Sequence, residues 1–310
     1  MIIRVLGSAA GGGFPQWNCA CANCSRLRAG YFAVRARSQA QVAVFLPSGG
    51  CFLLNASPDL RTQIVSTPQL SPSHSPRHTP ILGVILTSAD VDSVAGLLHL
   101  REFQPLRIFA TRSVRRIVQE ENRIFRVLER ANPPAFWQDV SLGDRFPLET
   151  GNNTAGECPT QCQMVSLGGA YPDYVSDELR KSLPAGEAVV GLVVTQSEKL
   201  FFYAPTLPGN STGWNAVAQS SDACLVDGTF WDENELISSG VGSKTAKEIG
   251  HTSLSGETGL LRQFGGVAGG RRILIHINNT NPILNEASPE NRQVRDAGWE
   301  ISYDGMEIEL

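Results

Sequence analysis

The sequence predicts an α/β layered domain. Two observations carry that prediction: short apolar runs with β character recur along the chain, and amphipathic helical patterns lie between them over most of its length. A third sets the scale. A chain of 310 residues, 42% of them hydrophobic, can bury a substantial core. With no internal repeat and no low-complexity tract, residues 1–310 are expected to form a single domain.

The expected strands are IIRVLG at 2–7, QVAVFL at 41–46, CFLLNA at 51–56, GVILTS at 83–88 and RIFAT at 107–111. Later ones are VVGLVVT at 189–195, KLFFYAP at 199–205, ACLVDGT at 223–229 and RILIHI at 272–277. Each is a run of β-branched and aromatic residues closed by turn formers. Helical spacing appears in DSVAGLLHLREF at 92–103, VRRIVQEENRIFRVLERA at 114–131 and SKTAKEI at 243–249. The segment 150–187 is polar and rich in Gly and Pro, and is expected to be a long loop or lid.

Composition narrows the function classes. A net charge of -4 and the lack of any Lys/Arg run argue against nucleic acid as a partner. No stretch approaches the ~18 consecutive apolar residues of a membrane span. The start, MIIRVLGSAAGGG, lacks the basic and long apolar regions of a signal peptide and reads as a first strand. A cytoplasmic location is expected, where seven cysteines suit metal binding and free thiols better than disulfides.

Three of those cysteines, Cys19, Cys21 and Cys24, form C-x-C-x-x-C. Soft thiolates at this spacing select zinc, and a closed thiolate site leaves no position for substrate, so a structural zinc is expected with its fourth ligand elsewhere. Cys158 and Cys162 in ECPTQCQ are a weaker metal pair, because no His lies near them in sequence.

Polar residues at strand ends are the other signal, since burying them is costly unless they have a task. Asp90 and Asp92 follow GVILTS, Asp227 ends ACLVD, His251 follows the pattern at 243–249, and His276 ends the last strong run. Ligand sites of open α/β sheets gather at such strand ends. Two carboxylates with one or two histidines make a hard O/N donor set suited to iron, manganese or a dinuclear hydrolase metal. Each residue also has a plain alternative. Asp92 reads equally as the N-cap of the following helix, His276 as a satisfied core residue and His251 as a helix C-terminal cation. His74, His78 and His99 read as surface or structural residues.

Taken together, GSAAGGGFPQWNCACANC at 7–24, LNASPDLRTQ at 54–63, GLLHLRE at 96–102, LVDGTFWDENEL at 225–236, GVGSKTAKEIGH at 240–251, HINNTNPIL at 276–284 and the terminal DGMEIEL resemble the PqqB family of pyrroloquinoline quinone (PQQ) biosynthesis. The resemblance covers the whole chain and is weakest between about 112 and 190. It implies a metallo-β-lactamase-like αβ/βα sandwich of two mixed sheets, nearest the RNase Z and PhnP branch. In PhnP-like relatives the cysteine triplet holds a structural zinc whose fourth ligand follows the last metal-binding histidine; by that analogy the fourth ligand lies within His276–Asn279.

The superfamily pattern H-x-H-x-D-H corresponds to Ser88-Ala89-Asp90-Val91-Asp92-Ser93, so only Asp92 is retained and Ser93 stands where the family has His. The resemblance implies an Fe2+-dependent, O2-dependent hydroxylase acting on the tyrosine-derived ring of a crosslinked Glu-Tyr precursor. Asp90, Asp92 and His276 are then the expected metal ligands, with His251 as a further candidate, and His251 with Asp227 the expected proton relay. A non-catalytic carrier of PQQ or its precursor is the alternative, favoured by Ser93, and a phosphodiesterase-type hydrolase comes third. The small-molecule precursor and other proteins of the pathway are the expected partners.

Overall fold

The computed structural model describes residues 1–310 except 74, 103, 131, 133, 149–158, 210–212 and 265–268. Fourteen strands are described: β1 Ile2–Gly7, β2 Gln41–Phe45, β3 Cys51–Leu54, β4 Ile81–Ile85, β5 Arg107–Ala110, β6 Phe136–Asp139 and β7 Arg145–Pro147. The remainder are β8 Gln161–Gly168, β9 Val189–Gln196, β10 Lys199–Ala204, β11 Ala223–Asp227, β12 Arg271–Ile275, β13 Glu300–Ile301 and β14 Glu307–Glu309. They build two seven-stranded sheets, ordered β14-β1-β2-β3-β4-β5-β6 and β13-β12-β11-β10-β9-β8-β7. In the first sheet β3 to β6 run parallel, and in the second β10 to β13 do, while the other neighbours are antiparallel.

The alternation within strands explains the layering. Phe52 and Leu54 of β3, Phe109 of β5, Phe201 and Tyr203 of β10, and Leu225 of β11 belong to one buried cluster drawn from both sheets. Their sequence neighbours Leu53, Ile108, Phe202 and Val226 belong to the other, which also takes in the helices. Period-two side-chain direction therefore gives each central strand two apolar faces, and the strands read as continuous hydrophobic runs. The two sheets meet at Ala9, which bridges Gln39 on one side and Ile277 on the other.

Several expected elements change. Of the expected loop 150–187, residues 150–158 lie outside the described residues, and the rest is not one loop, because it holds β8 and the helix Asp177–Ser182. In β8, Cys162 and Met164 are fully buried while their neighbours are only partly so, an alternation hidden by the flanking Gly and Pro residues. The expected helix 92–103 is the helix Val91–Val94 followed by a 3₁₀ turn Ala95–Leu100. There Gly96 N–H donates to Ala56 O, and a side chain at Gly96 would lie 2.2 Å from Ser57 O. The expected helix 114–131 splits into the helix Arg112–Arg116, a π-turn Ile117–Glu121 and a 3₁₀ segment Arg123–Arg130. Asn122 leaves helical geometry at the break (φ -102°, ψ 76°), and its side-chain amide donates to Ile117 O. Of 243–249 only a 3₁₀ turn, Lys247–Ile249, is helical, closed by left-handed Gly250. Among the described residues, no helix is long and apolar enough to cross a membrane.

Candidate metal centres

The strand ends converge as open-sheet geometry requires. Asp227 ends β11, and His276 follows β12 by one residue. His276 sits in the left-handed region with φ 60°, a conformation that costs about 1–3 kcal/mol and persists only where surrounding contacts hold it. Here Ile277 N–H donates to Ser8 O, and the His276 carbonyl lies 2.8 Å from the Thr229 hydroxyl.

Asp227 is fully buried and saturated. Its Oδ2 accepts from Leu207 N–H at 2.8 Å and from His251 Nδ1 at 2.8 Å. Its Oδ1 faces the Thr229 amide at 3.0 Å and the Thr229 hydroxyl at 2.6 Å. Burial pushes the carboxyl up, but His251 and Thr229 outweigh it and hold Asp227 below the usual carboxylate range. Ligand atoms of Asp227, His251 and His276 all lie within 4.8 Å of one another, a spacing compatible with one ion. The saturation of both Asp227 oxygens instead makes this residue the group that orients His251.

His276 has a different partner. Its Nε2 lies 2.8 Å from Asp92 Oδ2, and its Nδ1 lies 2.9 Å from Thr229 Oγ1. Burial opposes charge on both groups, yet each charge supports the other: the Asp92 carboxyl is held down and the His276 imidazole is raised. Asp92 is thus no N-cap; Asp90 occupies that position, without a capping side-chain bond. The Asp90 carboxylate instead accepts from Ser88 Oγ at 2.7 Å, and burial together with the charge of Asp92 raises it. Ser93 Oγ lies 3.2 Å from Ser88 Oγ, so two small hydroxyls pair where the superfamily pattern places imidazoles. The His251 and His276 rings stack 5.3 Å apart.

Thr229 was not legible as a site residue. Its hydroxyl lies within 3.1 Å of both imidazole Nδ1 atoms and beside Asp227, and the only available signal was its position two residues after a strand-end Asp in VDGTF. A cavity of about 450 Å³ opens over these groups, lined by Gly11, Gly12, Asp90, Asp92, His251 and His276 among others. A smaller one of about 260 Å³ adjoins it and shares Asp90, Thr206 and Ile249.

The cysteine triplet forms a second centre. Cys19, Cys21 and Cys24 sulfurs cluster within 4.8 Å, and Asn279 Nδ2 lies 3.1, 3.5 and 3.5 Å from them in that order. One side-chain amide therefore faces all three sulfurs, and a half-turn about χ2 exchanges its nitrogen for its oxygen. This donor set fits a thiolate-bound zinc with an amide oxygen in fourth place. Of the other pair, Cys158 lies outside the described residues, while Cys162 is buried in the inter-sheet core with burial pushing its thiol far up. His74 also lies outside the described residues, and His99 is exposed.

The model of the β-lactamase superfamily domain matches residues 51–277. Coenzyme PQQ synthesis protein B of Methylorubrum populi is 41% identical over 310 residues, covering 100% of both chains. The crystal structure of Zn(2+)-bound PqqB from Methylobacterium extorquens superposes with a TM-score of 0.90 at 39% identity, again over 100% of both. A diphosphatase from the PhnP family shares the fold at a TM-score of 0.63 and 15% identity, covering 100% of this chain and 97% of its own. The chain belongs to the coenzyme PQQ synthesis protein B family, within the β-lactamase superfamily.

Proposed function

We propose that, within PQQ synthesis, this protein hydroxylates the tyrosine-derived ring of a crosslinked Glu-Tyr precursor, using an iron held by His276 and Asp92 with Asp90 beside them. The observation that carries the reading is the Asp92–His276 pair at the cavity floor, one carboxylate and one imidazole meeting at 2.8 Å. Such mixed O/N donors suit a mononuclear iron, which when bound supplies oxygen activation. One oxygen atom of O2 enters a ring C–H bond and the other leaves as water, with two electrons and two protons from an added enediol reductant. His251, oriented by Asp227, takes or returns a proton at the ring hydroxyl, and Thr229 holds both imidazoles by Nδ1 so that their Nε2 atoms serve the cavity. The zinc at Cys19, Cys21 and Cys24 is structural.

The test is protein purified without oxygen, loaded with Fe2+, and given O2, ascorbate and a tyrosine-derived substrate. Uptake of O2 with a product heavier by one oxygen atom supports the reading, and His251→Ala should slow turnover about 10²- to 10⁴-fold while keeping its iron. A second reading, a carrier of PQQ or its precursor, is supported by Ser88 and Ser93, whose hydroxyls pair where imidazoles would complete a metal site. Tight precursor binding with no O2 uptake in the iron-loaded protein would favour it.

A further inference from the structure

Asn278 lies two residues beyond His276 and lines the same cavity of about 450 Å³. Its Nδ2 donates to Thr280 Oγ1 at 2.5 Å, and the Thr280 hydroxyl donates to Glu235 Oε1. Glu235 is buried, and its other oxygen, Oε2, accepts from Trp231 N–H at 2.6 Å.

This chain of bonds has one direction. An ionised carboxylate only accepts, so the Thr280 hydroxyl commits its proton to Glu235. What Thr280 then offers Asn278 is a lone pair, which only the amide nitrogen can use. The amide is held in that sense, and Oδ1 is its free end. Among the described residues no group donates to Oδ1, and it is not one of the polar atoms sealed in the interior, so it stands open to solvent. The other side-chain amide on the cavity wall, Gln39, is committed to Gly12 N–H and to Asp59, at 3.2 Å each.

The charges of the wall point the same way. Asp90 and Asp92 line the cavity, and no Lys or Arg is among the described residues that do. A carbonyl oxygen fixed toward such a space is built to accept from a cationic N–H, with no resident cation to compete. We infer that Asn278 is a specificity-determining residue, whose Oδ1 receives a primary ammonium group carried by the aromatic substrate. A site that hydrogen-bonds one substrate group discriminates against the analogue that lacks it. The inference rests on reading this cavity as the substrate site.

The test compares two probes that differ only by the amine, tyramine and 4-ethylphenol. Calorimetry reads their affinities for the full-length protein at about pH 8, above the value of about 7 to which burial raises Glu235. Tyramine should bind at least about tenfold tighter, the scale of one hydrogen bond to a charged group, and Asn278→Leu should lower that preference about tenfold. Glu235→Gln leaves Asn278 in place but can donate to Thr280; the hydroxyl then turns to Asn278, the amide reverses, and the preference should fall again. A residue that only propped the loop would weaken both probes alike.

If Asn278→Leu fails to fold, Glu235→Gln decides. Binding of neither probe, no preference in the parent protein, or an unchanged preference in folded Asn278→Leu would overturn the assignment. Oxygen uptake by the iron-loaded protein is read separately. Preference for tyramine without uptake supports the role of Asn278 and rejects hydroxylation, whereas uptake without preference rejects the role of Asn278 alone.

Discussion

His276 Nε2 and Asp92 Oδ2 stand 2.8 Å apart although 184 residues separate them in the chain. The lowered Asp92 and raised His276 favour an ion pair, in which a metal must displace the His276 Nε2 proton to use that imidazole. Apparent Fe2+ affinity should therefore rise with pH. The pair also sets a stability window. The raised His276 contributes stability that is complete below its unfolded value of about 6.5 and is lost as pH climbs through the folded value. The depressed Asp92 contributes above about 3.9 and loses it as pH falls through its own lower value. Melting temperature of metal-free protein followed across pH should show this window, and Asp92→Asn should flatten its alkaline side.

At the cysteine centre, Cys21→Ser should remove one zinc per chain and lower the melting temperature. Asn279→Ala should weaken zinc by roughly 10- to 100-fold, the scale of perturbing a supporting ligand, while Asn279→Asp, with an anionic oxygen in place of the amide, should retain it. Competition with a chelator measures both. Full zinc in Cys21→Ser would reject the structural reading.

Ser93→His restores an imidazole beside Asp92 and should tighten Fe2+ binding by at least about tenfold. Anaerobic titration of the variant beside the parent protein reads this directly. Equal affinities would show that the Ser88–Ser93 corner does not face the metal.

Glu235 carries a pH dependence of the same sign as His276. Its carboxylate is buried, accepts from Trp231 N–H at 2.6 Å and is bonded by Thr280 Oγ1, yet burial outweighs these bonds and pushes it up to about 7. A carboxyl raised in the folded state contributes stability that is complete below about 4.3 and is lost as pH rises through about 7. Glu235→Gln should remove that slope, visible in denaturant midpoints on either side of it.

The long apolar runs were the legible part of this fold. β3, β4 and β9 to β12 appear within a few residues of their expected bounds, because strands buried on both faces need no alternation to be recognised. Short edge strands such as β6, β7 and β14 carry too few side chains to show a period, and Phe136 of β6 is 62% exposed. At the candidate site, Asp92, Asp227, His251 and His276 stood out as polar groups at strand ends, and the structure brings them together with Thr229. What sequence could not show was which partner each would find. Asp227 saturating its own oxygens, and Asn279 facing three sulfurs, depend on contacts between segments some 20 to 260 residues apart.

His276 and Asn279 are three residues apart on one loop, the first at the cavity floor and the second against the cysteines. That loop cannot relax at one end without moving the other, because Ile277 between them is tied to Ser8 and Ala10. If both centres bind metal as proposed, their occupancies are expected to be coupled through this loop, and a chelator that strips the cysteines should also weaken metal binding at Asp92 and His276.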